Sequence, residues 1–311
     1  MNQNSSVAAT ILQDAAQQNY PVSALYVLAT PIGNVCDISL RGLHLLSIAD
    51  AVACEDTRNT SQLLQRYGLS RPLLATHEHN EREAAAKIIE RLRAGQRVAL
   101  VSDAGTPAVS DPGARVVDAV RAAGLQVIPL PGASAAITAL SASGLTDERF
   151  HFVGFLPAKT RQRETALQEL VELPAALVFY EAPHRIVETV QSLLQVFGPQ
   201  RQVVLARELT KLFEDIHRCP LGEAPDWLAQ DANRQRGEFV ILVEGAPVTE
   251  GDGAEAERVL RILLAELPVR QAAALAAQIT GVKKNALYER ALAIRQGAHE
   301  DEEEGEGEDD A

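Results

Sequence analysis

The sequence predicts an α/β protein with largely parallel sheets. From Leu25 to Glu244, short β-branched apolar runs alternate with longer amphipathic stretches, the pattern of strands joined by helices. Turn residues interrupt this alternation at Ser143–Glu148, and a Gly- and Pro-rich segment ends it at Gly245–Gly253. Only helical patterns follow. We therefore expect two α/β domains and a small helical extension in this chain of 311 residues.

The interruptions set the limits of the predicted domains. A polar leader at 1–22 is expected to be disordered, and α/β domains are placed at 23–145 and 146–246. The helical extension is placed at 254–297 and an acidic, disordered tail at 298–311. The segment from Glu300 to Asp310 holds nine acidic residues, and without them the net charge of −13 falls to −4. Such a run of like charges is usually a solvated tail. The rest of the chain is still mildly acidic, so if the protein binds a nucleic acid such as RNA, the contacts must come from local Arg and Lys clusters.

The individual elements follow from apolar runs and periodicity. The predicted strands are Leu25–Ala29, Ala51–Cys54, Arg97–Ser102, Gln126–Leu130, Phe150–Phe155, Ala176–Tyr180, Gln202–Ala206 and Phe239–Val243. The predicted helices include Glu81–Ala94, Ala114–Ala123, Ala133–Ser143, Arg161–Leu170, Ile186–Phe197, Ala254–Ala265, Val269–Thr280 and Lys284–Ile294. The last two flank a turn at Gly281 and suit a helix-turn-helix or a plain helical hairpin.

Several classes of protein are disfavoured. Three distant cysteines argue against a zinc site and a disulfide framework and suit the cytoplasm. No apolar run has membrane-spanning length, so no membrane association is expected. Motifs for nucleotide hydrolysis, dinucleotide binding and metallohydrolysis are absent. His77 and His79 stand two residues apart in a predicted loop, which is weak spacing for a metal site.

Polar and glycine-rich clusters follow nearly every predicted strand. In parallel α/β sheets these loops meet at one edge, where ligands bind. The loop SDAGTPAVSDPG, from Ser102 to Gly113, indicates a tightly turned backbone that a flat ligand can approach closely. Asp103 is placed either to bind a ligand or to cap a turn, and Ser134 either caps a helix or contacts a ligand.

These clusters together resemble one family. LYVLATPIGN, ACEDTR, THEHNE, LVSDAGTPAVSDPG, PLPGASA, FVGFLP, FYEAPHR, ARELTK and RGEFVILVEG are similar to the small-subunit rRNA cytidine 2′-O-methyltransferases, which have the tetrapyrrole-methylase fold. The resemblance covers about Leu25 to Gly245, and the Val269–Ile294 helices resemble that family's helix-turn-helix extension.

The resemblance implies two tetrapyrrole-methylase-type α/β domains with S-adenosylmethionine (SAM) between them, and a homodimer. The spacing of the cysteines and histidines gives no reason to expect a metal. It implies a cytidine of 16S rRNA, in the small ribosomal subunit, as substrate. It also implies cofactor contacts from a set of residues at the strand ends, together with the backbone of Glu238–Val240. The set is Pro31, Asp103, Gly105, Ala108, Ser134, Ala135, Tyr180 and Glu238.

A ribose hydroxyl is a weak acid, so a nearby base or cation should speed its methylation. Glu55 or Glu181 is our candidate proton acceptor, and Lys159 and Arg185 are candidates for holding the neighbouring phosphate. The alternative for Glu55 is a structural ion pair with Arg58.

The basic clusters KTRQR, PHR, ARELTK and VKK are the best candidates for phosphate contacts. Their alternatives are a solvated helix start for KTRQR and internal salt bridges for RELTK. Two other functions remain open from sequence: a corrin or porphyrin C-methyltransferase, and a non-enzymatic helix-turn-helix regulator.

Overall fold

The computed structural model describes residues 3–77, 80–247 and 253–304. Residues up to Gly245 form one unit, and those from Ala246 onward form a second. The first unit contains two five-stranded sheets. His79 and the last seven residues of the acidic tail lie outside the described residues.

The first sheet carries the N-terminal half of this unit. Its strands are β1 (Ala24–Leu28), β2 (Ala51–Cys54), β3 (Leu73–Ala75), β4 (Arg97–Leu100) and β5 (Gln126–Leu130). Their order is β3-β2-β4-β1-β5, and every neighbouring pair is parallel. The helices are α1 (Gln3–Ala16), α2 (Leu40–Ile48), α3 (Thr57–Arg66), α4 (Glu81–Arg93), α5 (Ala114–Ala122) and α6 (Ala135–Ala142).

Alternating side chains give this sheet two buried faces. Tyr26 and Leu28 of β1 pack in one apolar cluster with Leu45 of α2, while Leu25 packs in the other with Ile88 of α4. Because both faces are covered, the strands appear in the sequence as short continuous apolar runs. This is why four of the five strands were predicted, and the three-residue β3 was missed.

The N-terminal segment differs from the predicted disordered leader, since α1 spans Gln3–Ala16. The buried Tyr20 hydroxyl donates a hydrogen bond to the carbonyl of Ala15 at 2.9 Å, and Nε of Arg97 donates to the carbonyl of Tyr20 at 2.9 Å. The Tyr20 ring also lies 5.0 Å from that of His44. These contacts fix the end of the leader, and polar composition alone does not predict them.

The second sheet is mixed, so the expectation of largely parallel sheets is wrong here. Its strands are β6 (Phe150–Phe155), β7 (Ala176–Glu181), β8 (Gln202–Arg207), β9 (Asp215–Pro220) and β10 (Phe239–Val243). The order is β6-β7-β10-β8-β9, and β6 with β7 is the parallel pair among antiparallel neighbours. A short connection joins β8 to β9, and such hairpins pair antiparallel. β9 was not predicted because its sequence, DIHRCP, is polar and the predicted strands were identified by apolar runs.

The antiparallel β10 brings a further residue to the functional edge of the sheet. Phe239, its first residue, pairs with Glu181 at the end of β7 and with Arg207 at the end of β8. The preceding Glu238 therefore lies where two neighbouring strands end.

Two sets of helices cover the second sheet. Leu177, Phe179 and Ile241 pack on the side of α7 (Thr160–Gln168), α8 (Ile186–Phe197) and α9 (Ala224–Gln230). The opposite face packs against Ala136 and Ala139 of α6. Because α6 follows the last strand of the first sheet, this packing joins the two α/β halves and sets its N-terminus beside β7.

The second unit consists of α10 (Gly253–Glu266), α11 (Val269–Thr280) and α12 (Lys284–Glu304). Leu260, Ala272 and Leu287, one from each helix, are buried together. Gly281 ends α11 with a φ of 74°, a left-handed conformation that favours glycine. Helix α12 extends beyond the predicted Ile294 into the segment expected to be a disordered tail. Among the described helices, none has both the length and the apolar character needed to cross a bilayer.

Candidate active site

A cavity of about 340 Å³ lies where the strand-end loops of the two α/β halves meet. This volume suits a small-molecule ligand. The first half contributes the residues Ile32, Ala104, Gly105, Thr106, Val109, Ser110, Asp111, Ser134 and Ala135. The second half contributes Phe155, Tyr180, Glu181, Ala182, Pro183, Ala206, Leu209, Lys211, Glu238, Phe239 and Val240.

Backbone hydrogen bonds fix the loops of the first half. Thr30 and Gly105 exchange N–H to carbonyl hydrogen bonds of 2.9 Å in both directions. The Thr106 hydroxyl donates to the carbonyl of Ala133 at 3.0 Å, which ties in the loop that precedes α6. Three loops that are distant in sequence therefore form one wall, as the strand-end pattern predicts.

The walls contain strained backbone. Ala108 and Ser110 have φ values of 67° and 59°, and Glu208 and Thr210 have 52° and 65°. Non-glycine residues rarely adopt this left-handed region, and such residues cluster at functional sites. Ser110 and the neighbours of both strained pairs line the cavity.

The structure brings five of the eight expected cofactor residues to the cavity: Gly105, Ser134, Ala135, Tyr180 and Glu238. Pro31 is buried next to the lining residue Ile32. Asp103 and Ala108 are exposed and belong to the same loop, although neither is among the lining residues.

Asp103 supports a neighbouring loop. Its Oδ1 accepts a hydrogen bond from the N–H of Asp56 at 3.2 Å, and its Oδ2 accepts one from the side chain of Asn59 at 2.7 Å. Asp56 caps α3 and pairs with Arg58 at 3.2 Å. The ion pair considered between Glu55 and Arg58 is therefore replaced by one between Asp56 and Arg58.

Glu55 is half-buried between acidic neighbours. Burial raises the pKa of its carboxyl group, and Asp103 and Asp56 raise it further, while His77 acts in the opposite direction. Glu55 is not among the residues that line the cavity, and its charge raises the pKa of the lining residue Asp111.

Glu181 is buried and fully engaged. Its Oε1 accepts a hydrogen bond from the N–H of Ala182 at 2.8 Å, and its Oε2 accepts one from the Thr189 hydroxyl at 2.6 Å. Nε of Arg185 lies 3.2 Å from Oε1. The Glu181 carboxylate is therefore neutralised by internal partners and is not available to a substrate.

The two expected phosphate ligands differ from each other. The Arg185 guanidinium donates to the carbonyl of Leu156 at 2.7 Å and is largely buried, so internal acceptors hold it. Lys159 is exposed just before α7 and matches the solvated helix start that was the alternative. Neither lines the cavity.

Tyr180 joins the halves at the cavity. The N–H of Ala136, in the first turn of α6, donates to the Tyr180 hydroxyl at 3.2 Å. The ring is held by edge contacts with Phe152 at 5.1 Å and Phe155 at 5.7 Å. Burial raises the pKa of the Tyr180 hydroxyl, so it remains protonated at neutral pH.

Lys211 links the strained second-half loop to β10. Its Nζ lies 2.8 Å from Oε1 of Glu208 and 2.8 Å from Oε2 of Glu238. These carboxylates outweigh burial and raise the pKa of Lys211. The internal salt bridge considered for RELTK is therefore present.

Asp111 is a cavity residue that sequence reasoning did not single out. Burial and the nearby Glu55 raise the pKa of its carboxyl group to about 6. Its position within the glycine- and proline-rich loop, directly before Pro112 and Gly113, was an available signal. What no sequence pattern shows is that this aspartate, rather than Asp103, faces the cavity.

The arrangement can bind a partly apolar ligand between fixed loops and offer it a half-buried carboxylate. Within residues 3–77, 80–247 and 253–304, no three His, Cys, Asp or Glu side chains are grouped to hold a metal ion.

Comparisons with known proteins agree with this geometry. Residues 24–225 match the family described as Tetrapyrrole (Corrin/Porphyrin) Methylases, and residues 250–295 match the RsmI C-terminal HTH domain. Ribosomal RNA small subunit methyltransferase I of Pseudomonas aeruginosa is 55% identical over 88% of this chain and 98% of its own length. The protein of that name from Haemophilus influenzae is 46% identical over 86% of this chain and 96% of its own.

Solved structures share the fold at low identity. The methyltransferase CobJ gives a TM-score of 0.55 at 22% identity, covering 71% of this chain and 94% of its own. Uroporphyrin-III C-methyl transferase from Thermus thermophilus, complexed with S-adenyl homocysteine, gives 0.51 at 18% identity over 71% and 97%.

The fold and the family match define a methyltransferase of the tetrapyrrole-methylase class. The chain belongs to the tetrapyrrole methylase family and, within it, to the ribosomal RNA small subunit methyltransferase I proteins. The predicted fold class and family resemblance are confirmed.

Proposed function

We propose that this chain transfers the methyl group of SAM to the ribose 2′-hydroxyl of a cytidine in 16S rRNA of the small ribosomal subunit. The observation that carries this proposal is identity of 46–55% to small subunit methyltransferase I proteins over nearly their whole length, with the ligand-sized cavity in the matched region. Methyltransferase activity and the SAM cofactor follow from family membership.

The residues that line the cavity fit SAM. Gly105 and Ala135 are small and leave room for a flat ring, and the first turn of α6 presents backbone N–H groups suited to a carboxylate. Asp111 suits the positive charges of the sulfonium and ammonium groups. SAM supplies an electrophilic methyl group, and positioning of reactants by the chain lowers the barrier by up to about 7–11 kcal/mol.

We assign the RNA contacts to those residues of the predicted basic clusters that are exposed in the structure. Arg163 is 1% exposed and hydrogen-bonded to Ser192, so it leaves the KTRQR set, while Lys159 and Arg161 stay exposed. Lys283 and Lys284 are exposed at the turn between α11 and α12. We expect the variant Lys159→Ala/Arg161→Ala to weaken binding to small subunits and to reduce its salt dependence, because counterions are released at phosphate contacts.

The matched control for the double variant is Arg93→Ala/Arg121→Ala, which removes two exposed arginines from α4 and α5. Filter binding at increasing salt measures the two slopes. Identical slopes for the two double variants would remove Lys159 and Arg161 from the RNA surface.

A homodimer is part of the proposal. Its structural support is the loop after Lys211, where Leu212 is 89% and Phe213 is 67% exposed. Large apolar side chains this exposed suit a protein interface. Analytical ultracentrifugation of wild type and Leu212→Glu/Phe213→Glu tests this: a dimer that becomes monomeric supports the interface, and an unchanged mass excludes it.

A cytoplasmic location completes the proposal, because small ribosomal subunits are its substrate. Cys36, Cys54 and Cys219 are all free thiols, as a reducing compartment favours.

The decisive experiment is methyl transfer from radiolabelled SAM to small subunits that lack the modification, followed by nucleoside analysis. We expect the label in 2′-O-methylcytidine. Label in another nucleoside would contradict the proposed atom, and label on an added tetrapyrrole would favour the C-methyltransferase alternative. Sequence-specific duplex binding without turnover would favour the regulator.

A further inference from the structure

Three carboxylates line the cavity, and they differ in how their charge is compensated. Glu181 is buried against Arg185, and Glu238 pairs with Lys211. Asp111 forms no ion pair within the described parts of the chain. It is therefore the lining carboxylate whose charge the protein leaves uncompensated.

The backbone on both sides of Asp111 is fixed. Glu81, which is buried, accepts a hydrogen bond from the N–H of Gly113 at 2.7 Å through Oε1. Gly113 adopts a φ of 133°, which favours glycine, and the preceding Ser110 is left-handed at 59°. A strained turn anchored from a separate helix holds the Asp111 side chain at the cavity, an arrangement that preorganises a reacting group.

The groups that couple electrostatically to Asp111 are two carboxylates and two hydroxyls. Glu55 follows β2 and Asp103 follows β4, and both carboxylates disfavour its charged form. Tyr180 of β7 is also electrostatically coupled to it. The Ser102 hydroxyl stabilises the charged form, but burial and the two carboxylates outweigh it. A carboxyl group in these surroundings holds a proton more readily than a surface aspartate does.

We propose that Asp111 is the catalytic residue that accepts the proton of the substrate hydroxyl during methyl transfer. This inference rests on the proposed function. The oxygen–methyl bond forms as the sulfonium–methyl bond breaks, and the electron pair of that bond remains on sulfur. The hydroxyl proton passes to the Asp111 carboxylate and then to solvent, so the reaction requires no further reactant.

The assignment differs from the two carboxylates expected from sequence. Both oxygens of Glu181 already have internal partners, since an N–H, a hydroxyl and a guanidinium surround the carboxylate. Glu55 lies outside the cavity lining and acts on Asp111 through its charge.

Asp111→Asn tests the inference by its turnover on small subunits at saturating SAM. We expect kcat to fall by about 10²–10⁴-fold, the usual contribution of a positioned base. The SAM dissociation constant, measured by calorimetry, should rise by a clearly smaller factor than kcat falls, because the amide keeps the shape of the carboxylate and loses only its charge beside the sulfonium. Asp111→Glu should recover part of the lost rate.

The matched control is Asp118→Asn, which removes the same charge from an exposed position on α5. Its kcat should stay at the wild-type value. Wild-type turnover by Asp111→Asn would overturn the inference, and so would a loss of SAM affinity as large as its loss of turnover, which would make Asp111 a cofactor-holding residue.

A second readout uses no turnover. The positive sulfonium of SAM favours the charged form of Asp111, so binding near pH 6 should release protons. Calorimetry in buffers of different ionisation enthalpy counts these protons. Wild type and Asp118→Asn should release them, and Asp111→Asn should release clearly fewer. Equal release by all three proteins would contradict the placement of Asp111 at the sulfonium.

The outcomes separate this inference from the proposed function. If wild type fails to label 2′-O-methylcytidine, the proposed function fails whatever Asp111 does. If wild type labels it and Asp111→Asn labels it equally fast, the function stands and the assignment of Asp111 is wrong.

Discussion

The carboxylates on the two walls of the cavity differ in whether an ion-pair partner neutralises their charge. On the second-half wall, Glu181 is surrounded by hydrogen-bond donors and Arg185, and Glu238 pairs with Lys211. On the first-half wall, Asp111 has no ion-pair partner among residues 3–77, 80–247 and 253–304, and the charges of Glu55 and Asp103 raise the pKa of its carboxyl group. This contrast shows that a charged side chain in a cavity is not by itself evidence of a catalytic or ligand-binding role. A compensated charge holds the structure together, whereas an uncompensated one costs stability and is retained where it acts on a ligand.

The largest expected effect is on the compensated wall. Glu181→Ala should lower the free energy of unfolding by about 3–5 kcal/mol, because it leaves the Arg185 guanidinium without its buried counterion and the Thr189 hydroxyl without its buried acceptor. Urea unfolding followed by circular dichroism measures this.

The exposed Glu172→Ala is the control for Glu181→Ala and should change stability by less than about 0.5 kcal/mol. If Glu181→Ala were as stable as this control, the account of a compensated internal charge would be wrong.

The next effect concerns the anchor of the Asp111 loop. Glu81→Ala removes the acceptor of the buried Gly113 N–H and should cost about 1–3 kcal/mol of stability. Glu81→Gln keeps a side-chain oxygen at that point and should cost less.

Hydrogen exchange at Gly113 is the direct measurement for this anchor. We expect faster exchange in Glu81→Ala than in Glu81→Gln. Equal protection in both variants would show that Glu81 does not fix the loop.

The sequence predicts much of this fold because its strands are short, apolar and separated by turn residues. β2, β5 and β10 and the helix Ile186–Phe197 were predicted at their observed limits. β9 was missed because its sequence is polar, and the antiparallel insertion of β10 was missed because strand order depends on distant pairing rather than on local pattern.

The sequence predicts which loops form the site, but it does not predict which side chain of each loop lines the cavity. Gly105 and Tyr180, which the resemblance implies as cofactor contacts, line the cavity, and their contact with SAM stays a prediction. Whether Asp103 or Asp111 faces it depends on the strained turn at Ser110 and on Glu81, 30 residues earlier in the chain than Asp111. Local sequence carries no signal of that contact.

Asp111 has no ion-pair partner in the described parts of the chain, and we expect its charged form to cost stability. Its carboxyl group has a folded-state pKa raised from 3.8 to about 6, so the folded protein holds this proton more tightly than the unfolded chain does. The contribution of Asp111 to stability is therefore present below about pH 4 and is lost as the pH rises through about 6. Replacing the group with a neutral amide removes that loss.

The most direct measurement is the free energy of unfolding of wild type and Asp111→Asn at pH 8 and at pH 4. We predict that Asp111→Asn is more stable than wild type at pH 8, by about 1 kcal/mol after allowance for partial solvent screening. The advantage should shrink toward pH 4, where the wild-type carboxyl group is protonated. A variant that is equally or less stable than wild type at pH 8 would contradict the claim.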